Sequence, residues 1–196
     1  MEKRRIVTFD FDGTLTTGDT FIAFALHALT RRRVIASIIA ESATLTGWKC
    51  GIISNGKAKQ RLFKRLFGGM TIAEFNRHCS TFATEIDKMM RHEMIQTLKS
   101  AREGADKVYI ISASIENWIK PWAKSLGIDE VIATRITVDS EGIVTGGFDG
   151  NNCYGAEKVR RLQEAEPQRE SYILTSYGDS RGDREILAFA DHPHLV

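Results

Sequence analysis

The sequence predicts an α/β fold with a three-layer core, in which a mainly parallel sheet lies between helices. Short apolar segments typical of buried strands occur at 5–9, 108–111 and 172–175, with helix-like stretches between them. Strands that alternate with helices indicate parallel pairing, because each connection then crosses a face of the sheet. The long interval between the first two strands predicts a helical insert after the first strand.

Residues 16–99 form the predicted insert. Apolar residues recur there at helix-like spacing within 21–26, 34–40, 62–67 and 86–98. Glycines interrupt these segments and mark the turns between helices. We therefore expect an α/β core made of 1–15 and 100–196, with a helical insert at 16–99.

The second half of the chain continues the α/β pattern. After the strand at 108–111, residues 115–126 read as a helix closed by Gly127. Residues 131–138 and 143–148 read as a hairpin around the turn at 139–142.

Composition agrees with a cytoplasmic enzyme that has one hydrophobic core, and it decides little else. The chain has 196 residues, and 42% of them are hydrophobic. A formal charge of +2 gives no electrostatic reason to expect a nucleic-acid partner. Three scattered cysteines form neither a zinc-binding spacing nor a disulfide framework. Monomer and homodimer stay equally open.

The segment 21–53 is unusually apolar and contains the basic string Arg31–Arg33. An amphipathic helix on a membrane surface has a similar pattern. Neither apolar run reaches the roughly 18 residues that a transmembrane helix needs. Cap helices that pack on one another explain the segment better, so we expect no membrane contact.

Two carboxylates, Asp10 and Asp12, follow the first strand and precede Gly13. Residues two apart on a strand face the same side, so both carboxylates can face one site. A divalent cation would relieve their repulsion, and one carboxylate could then attack phosphorus while the other transfers a proton. Gly13 allows a tight turn and lets an anion approach backbone N–H groups. The alternative is an ordinary turn at the end of a strand.

Three further strings carry candidate residues, each with a simpler alternative. Ser112 follows a strand, where a hydroxyl could bind an anion or merely cap the next helix. Lys158 lies in a charged helical stretch where a solvated lysine is usual. Asp179 and Asp183 follow the third strand and could hold a hard cation or simply form a turn and start a helix.

The strings 10–13, 112–114, 155–158 and 177–183 occur in the order of the motifs of the haloacid dehalogenase (HAD) superfamily of phosphatases. The chain resembles that superfamily over essentially its whole length, most closely its phosphoserine phosphatases of subfamily IB. The resemblance implies a Rossmann-like HAD core, and the insert resembles the superfamily's first type of cap, C1. In relatives a further strand and a short tail follow the last acidic motif, so the printed chain is expected to stop early there.

The resemblance implies a phosphomonoesterase that acts on a small phosphorylated metabolite through an aspartyl-phosphate. Asp10 would be the nucleophile, and Asp12 would protonate the leaving alcohol and then activate water. The implied phosphate-binding residues are Gly13, Ser112, Ala113 and Lys158.

The implied metal ligands are Asp10, the backbone carbonyl of Asp12, and Asp179, with Asp183 supporting them through water or Lys158. Because every ligand is an oxygen, the expected cofactor is Mg²⁺ rather than zinc.

Substrate choice is expected to depend on the cap. Phosphoserine phosphatases hold the ammonium and carboxylate of their substrate with a Glu nine residues after the nucleophile and with a cap Arg. This chain has Asp19 at that offset, and Arg61 is the matching cap candidate. The alternatives are an N-cap role for Asp19 on a helix beginning at Thr20, and a solvated position for Arg61.

Two other functions remain open from the sequence. A phosphomutase would use the same nucleophile but return the phosphoryl group to a second hydroxyl. A non-catalytic phosphoacceptor or regulatory module would share the acidic cluster and the lysine. Such a module, in the form of a receiver domain, lacks both the large helical insert and a second Asp two residues after the acceptor.

Overall fold

A computed structural model describes residues 3–128 and 130–196. Its centre is a six-stranded sheet with the order β4-β3-β2-β1-β5-β6. In chain order the strands are β1 (Arg4–Phe9), β2 (Lys107–Ile115), β3 (Glu130–Val138), β4 (Val144–Asp149), β5 (Tyr172–Gly178) and β6 (His192–Leu195).

Strand β1 occupies the middle of this sheet, in parallel register with β2 on one side and β5 on the other. Strands β3 and β6 extend the parallel sheet outward, and only β4 is antiparallel, as the second strand of a hairpin with β3. The carboxyl ends of β1, β2 and β5 therefore meet at one edge of the sheet. In open α/β sheets this edge is where ligands bind.

The helices of the insert fill the interval between β1 and β2, and several begin at a side-chain N-cap. Thr30, Ser54 and Thr71 each accept a hydrogen bond from the backbone N–H three residues later. The helices are α1 (Thr20–Ala28), α2 (Arg31–Ala40), α3 (Ser42–Lys49), α4 (Asn55–Phe67), α5 (Ile72–Met89) and α6 (His92–Gly104). The predicted boundary between residues 99 and 100 falls inside α6, and the division into core and cap stays a prediction.

Helices α7 (Glu116–Ser125), α8 (Ala156–Ala165) and α9 (Arg184–Phe189) complete the layers. Alternate residues of β1 point to opposite faces of the sheet, as the period of a strand requires. Phe9 packs on the face that α6 and α7 cover, whereas Ile6 packs on the face that α8 and α9 cover. The sheet is thus the middle of three layers, and the predicted fold class is confirmed.

Aromatic side chains join the insert to α7 of the core. The ring of Phe24 on α1 stacks on Trp118 of α7 with centroids 4.7 Å apart. Phe67, Phe75 and Phe82 each lie 5.3 Å from the same Phe24 ring. Fully buried aromatic side chains contribute large apolar areas, so this cluster holds the insert over the carboxyl edge of the sheet.

Two strands differ from the sequence-based expectation. Strand β2 continues through Ser112 to Ile115, past the predicted end at residue 111. The expectation that the chain stops before a further strand is wrong, because β6 follows the last acidic motif. Strand β6 includes Pro193 and pairs with β5, which suits an edge strand because proline lacks a backbone donor. Within 3–128 and 130–196, none of the helices combines the length and apolarity that crossing a membrane requires.

Candidate active site

Asp10 lies directly after β1, at the carboxyl edge of the sheet. Its backbone N–H donates to the Tyr177 carbonyl at 2.9 Å, which ties the residue to the end of β5. The residue is only 8% exposed, and Lys158 Nζ donates to its Oδ1 at 2.5 Å. The other carboxylate oxygen makes no hydrogen bond to the residues that the structure describes. A nucleophile needs this combination of a positioned carboxylate and one free oxygen.

Lys158 bridges two acidic motifs that lie far apart in the chain. It projects from α8, and its Nζ donates to Asp183 Oδ1 at 2.5 Å as well as to Asp10. Asp183 is fully buried, and its second oxygen accepts from the backbone N–H of Ser180 at 3.1 Å and from the Ser180 hydroxyl at 2.7 Å. Both oxygens of Asp183 are therefore occupied, which suits a residue that positions Lys158.

Burial and charge act in opposite directions on this cluster. Burial raises the pKa of Asp10 to about 7, against the lowering effect of Lys158, and the nearby charges of Asp183 and Asp12 add to the rise. Burial lowers the pKa of Lys158, but Asp10 and Asp183 outweigh that effect, so its pKa is raised overall. One ammonium thus faces several carboxylates, and a further cation would relieve the repulsion that remains.

Gly13 brings the chain close to the second acidic motif. Its φ is +87°, in the left-handed region that favours glycine. A Cβ at this position would lie 2.8 Å from the carboxyl carbon of Asp179. Thr14 Oγ1 donates to Asp179 Oδ1 at 3.1 Å, and Arg91 donates to the Gly13 carbonyl at 2.7 Å. The residue at position 13 therefore has to be small for the Asp179 carboxylate to approach the turn.

Asp10, Asp179 and Asp183 lie close enough together to share a metal ion. Among the described residues, no other group of three or more carboxylate, imidazole or thiol side chains does so. One oxygen from each lies within 4.8 Å of the others. Because Asp183 is engaged with Lys158 and Ser180, Asp10 and Asp179 are the better candidates for direct ligands. An all-oxygen set of this kind fits Mg²⁺.

Asp12 is held by side chains from the insert and from β2. Its Oδ1 accepts from the backbone N–H of Thr20 at 2.9 Å and from the Thr20 hydroxyl at 2.6 Å. Its Oδ2 accepts from the Ser114 hydroxyl. Burial raises the pKa of Asp12, and the charge of Asp19 adds to the rise. A carboxyl group with a raised pKa retains its proton closer to neutral pH, which favours a role as general acid.

Ser112 and Ala113 belong to β2 and line the same cavity as Asp10. The Ser112 hydroxyl accepts from the Ser114 backbone N–H at 3.0 Å. The alternative role for Ser112 as a helix cap is wrong, because α7 begins after Ile115 and has no side-chain cap. Ser112 is thus free to direct its hydroxyl proton at an anion in the cavity.

The cavity has a volume of about 440 Å³ and lies between the carboxyl edge of the sheet and helices α1 to α4. Asp10, Asp12, Ser112 and Lys158 line one part of it. The remainder is lined mostly by side chains of the insert. A volume in this range is typical of a site for a small molecule.

The two candidate specificity residues have different positions. Asp19 lines the cavity and also caps α1, since its Oδ1 accepts from the Phe21 backbone N–H at 2.7 Å. Arg61 is exposed and donates to the Thr44 hydroxyl at 3.2 Å, and it is absent from the cavity lining of the described chain. The structure therefore does not bring Arg61 to the candidate site.

Lys59 is the cation of α4 that the structure places in the cavity, and sequence reasoning missed it. Its Nζ donates to the Ala113 carbonyl at 2.8 Å and lies 5.4 Å from the centroid of the Phe21 ring. Burial lowers its pKa, while the charges of Asp12 and Asp19 oppose that shift. Helical periodicity could have predicted that Lys59 faces inward. Leu62 and Phe63, which are buried, follow it by three and four residues and therefore lie on the same side of α4.

Comparison with known proteins identifies the family. The model of the haloacid dehalogenase-like hydrolases matches residues 7–188. The chain belongs to this family. Protein CicA of Caulobacter vibrioides is a relative, 33% identical over 187 residues that cover 95% of this chain and 83% of CicA. The predictions of a haloacid dehalogenase-like protein and of a hydrolase are thereby confirmed.

Two solved structures illustrate how widely this fold is shared at low sequence identity. A protein of unknown function from Bordetella pertussis Tohama I superimposes with a TM-score of 0.81, at 19% identity, over 99% of this chain and 90% of its own. A phosphoserine phosphatase solved as a phospho-aspartyl intermediate analogue has a TM-score of 0.64, at 19% identity, over 96% of this chain and 84% of its own. At these identities the likeness concerns the fold, and the roles of individual residues stay predictions.

Proposed function

We propose that this protein is a Mg²⁺-dependent phosphomonoesterase that works through an aspartyl-phosphate on Asp10. The observation that carries the proposal is the arrangement around Asp10. Its buried carboxylate contacts Lys158 at 2.5 Å, lies beside Asp179, and lines a cavity large enough for a small ester. Membership of a hydrolase family and the fold shared with a phosphoserine phosphatase support the proposal.

The first half of the reaction transfers the phosphoryl group to Asp10. A carboxylate oxygen of Asp10 forms a bond to phosphorus, while the bond from phosphorus to the leaving-group oxygen breaks. The leaving oxygen takes the proton of Asp12, whose raised pKa favours the protonated form. Thr20 and Ser114 hold the Asp12 carboxyl group in place during this transfer.

The second half hydrolyses the aspartyl-phosphate. Asp12, now ionised, accepts a proton from a water molecule as its oxygen attacks phosphorus. The bond between Asp10 and phosphorus then breaks and inorganic phosphate leaves. Lys158, Ser112 and the backbone around Ala113 and Gly13 would hold the phosphoryl oxygens throughout.

Asp10 and Asp179, with the backbone carbonyl of Asp12, would hold Mg²⁺. Bound there, Mg²⁺ would supply positive charge that stabilises the additional negative charge of the transition state. Asp183 would act through Lys158, in agreement with its two occupied oxygens.

The proposal is tested by measuring inorganic phosphate release from a panel of small phosphate esters, including p-nitrophenyl phosphate. Phosphate release supports a phosphatase. Conversion of a sugar phosphate into its positional isomer without phosphate release would instead indicate a mutase. Phosphorylation of Asp10 without turnover would indicate a phosphoacceptor module.

Removal of metal is expected to abolish the activity. Excess chelator should silence phosphate release and Mg²⁺ should restore it, whereas Ca²⁺ should serve poorly because its larger and more flexible coordination shell disfavours in-line transfer. Asp179→Asn should raise the Mg²⁺ concentration for half-maximal activity. Asp149→Asn, the same change in an exposed carboxylate of β4, should leave it unaltered. Full activity in excess chelator would refute the metal requirement.

Substitution of Gly13 is expected to weaken metal binding as well as to lower the stability of the fold. Gly13→Ala should increase the required Mg²⁺ concentration by about tenfold or more, because the added Cβ displaces the Asp179 carboxylate. Gly69→Ala is the matched control, since Gly69 has the same φ of +87° but open space at its Cβ position. Gly69→Ala should lose about 1–2 kcal/mol of stability from left-handed strain in thermal or urea unfolding, and Gly13→Ala should lose more, because its Cβ also overlaps Asp179. An equal Mg²⁺ requirement in the two variants would contradict the role of position 13.

A further inference from the structure

Large apolar side chains line much of the cavity. They come from α1, α2, α3 and α4, and therefore from the insert. These side chains are Phe21, Ile22, Ile38, Leu45, Trp48 and Leu62. Apolar walls of this kind stabilise a ligand in proportion to the apolar area that they remove from water.

The polar groups that the insert contributes to the cavity each make one hydrogen bond within the protein. The Asp19 carboxylate accepts from the Phe21 backbone N–H, and Lys59 donates to the Ala113 carbonyl. Asn55 Oδ1 accepts from Asn152 Nδ2 at 3.1 Å. Each bond uses only part of the hydrogen-bonding capacity of its group, so these contacts by themselves do not exclude a zwitterionic leaving group such as serine. The three carbons of serine, however, could not cover the apolar walls.

We propose that the leaving group of the substrate carries an alkyl chain or an apolar ring, so that the substrate is an amphipathic phosphate monoester. The proposal rests on the proposed phosphatase function and specifies its substrate class. The phosphoryl group would lie against Asp10 and Lys158, and the apolar part would contact the walls formed by Ile38, Leu45 and their neighbours. It departs from the phosphoserine-like substrate that the sequence resemblance implied.

A series of n-alkyl phosphates from ethyl to octyl, compared with O-phosphoserine, tests this substrate class. Each methylene that enters an apolar site is worth about fourfold in affinity, so kcat/KM should rise by about that factor per methylene until the walls are covered. O-Phosphoserine should be a poorer substrate than hexyl phosphate. A flat chain-length profile, or a preference for O-phosphoserine, would overturn the inference.

Two neighbouring isoleucines of α2 provide a matched pair of variants. Ile38 lines the cavity, whereas Ile39 is 66% exposed and lies outside it. Ile38→Ala should lower kcat/KM for hexyl phosphate by about tenfold while changing that for ethyl phosphate less than about twofold. Ile39→Ala should change neither value. Equal losses on both substrates in Ile38→Ala, or an effect of Ile39→Ala as large as that of Ile38→Ala, would contradict the proposal.

Two assays, one with an ester in solution and one with an ester in lipid vesicles, distinguish a soluble substrate from a lipid substrate. Turnover of hexyl phosphate in solution and of hexadecyl phosphate in phosphatidylcholine vesicles would support the proposal with a lipid source. Turnover of hexyl phosphate alone would support it with a soluble source. Turnover of p-nitrophenyl phosphate with no preference for apolar chains would refute this inference and leave the phosphatase proposal standing. Failure on every ester in the presence of Mg²⁺ would refute the phosphatase function itself.

Discussion

Asp10→Asn is expected to reduce turnover by on the order of 10⁴-fold or more, because an amide cannot form the acyl-phosphate. The measurement is phosphate release from p-nitrophenyl phosphate and from the best substrate of the ester panel. The variant should also show no added phosphoryl mass after rapid acid quench, since Asp183, the other carboxylate that contacts Lys158, has both oxygens engaged in hydrogen bonds.

The fold should survive this substitution. Asparagine has the shape of aspartate, and Lys158 retains its contact with buried Asp183. Thermal unfolding and circular dichroism should therefore resemble those of the wild-type protein. Asp106→Asn is a suitable control, because Asp106 precedes β2 at the opposite edge of the sheet, where its carboxylate accepts from the Arg5 backbone N–H. Wild-type phosphate release by a folded Asp10→Asn protein would remove Asp10 from the nucleophile role.

Asp12→Asn is expected to separate the two halves of the reaction. On an alkyl phosphate, turnover should fall by about 10²–10⁴-fold, because an alkoxide leaves poorly without a proton. On p-nitrophenyl phosphate the first turnover should fall much less, since nitrophenolate needs little help to leave. Asparagine can keep the local contacts: its Oδ1 can accept from Thr20, and its amide can donate to the Ser114 hydroxyl.

The second half of the reaction should be slow in the same variant, because an amide at position 12 cannot accept a proton from water. A burst of nitrophenolate should therefore precede a slow steady rate, and the phosphoryl group should accumulate on Asp10, visible as an added mass after acid quench. The double variant Asp10→Asn/Asp12→Asn should show neither burst nor added mass. If Asp12→Asn slows the aryl burst and alkyl turnover equally, Asp12 is not the proton donor.

Local patterns were enough to predict the fold class, because periodicity and strand ends are properties of short segments. The apolar run before Asp10 predicted a buried central strand, and β1 lies between β2 and β5. The order of the four motifs led to the correct family for the same reason, since each motif is a short string after a strand. The short edge strand β6 carried no comparable signal, because a four-residue strand with a proline has neither length nor alternation.

Contacts between distant segments were decided by the tertiary structure. Lys158 approaches Asp10 across 148 positions of the chain and Asp183 across 25, and no spacing rule links them. Asp12 likewise finds Ser114 only because β1 and β2 are neighbours in the sheet.

The sequence also did not predict which side chains line the cavity around the leaving group. The sequence by itself determined the fold class, the family, and the strand ends that carry the acidic residues. It did not distinguish Arg61 from Lys59 as the cation at the cavity, because that choice depends on which side of α4 faces the sheet. Nor did it predict apolar walls around the leaving group, since these come from four helices whose side chains meet only when the helices pack together.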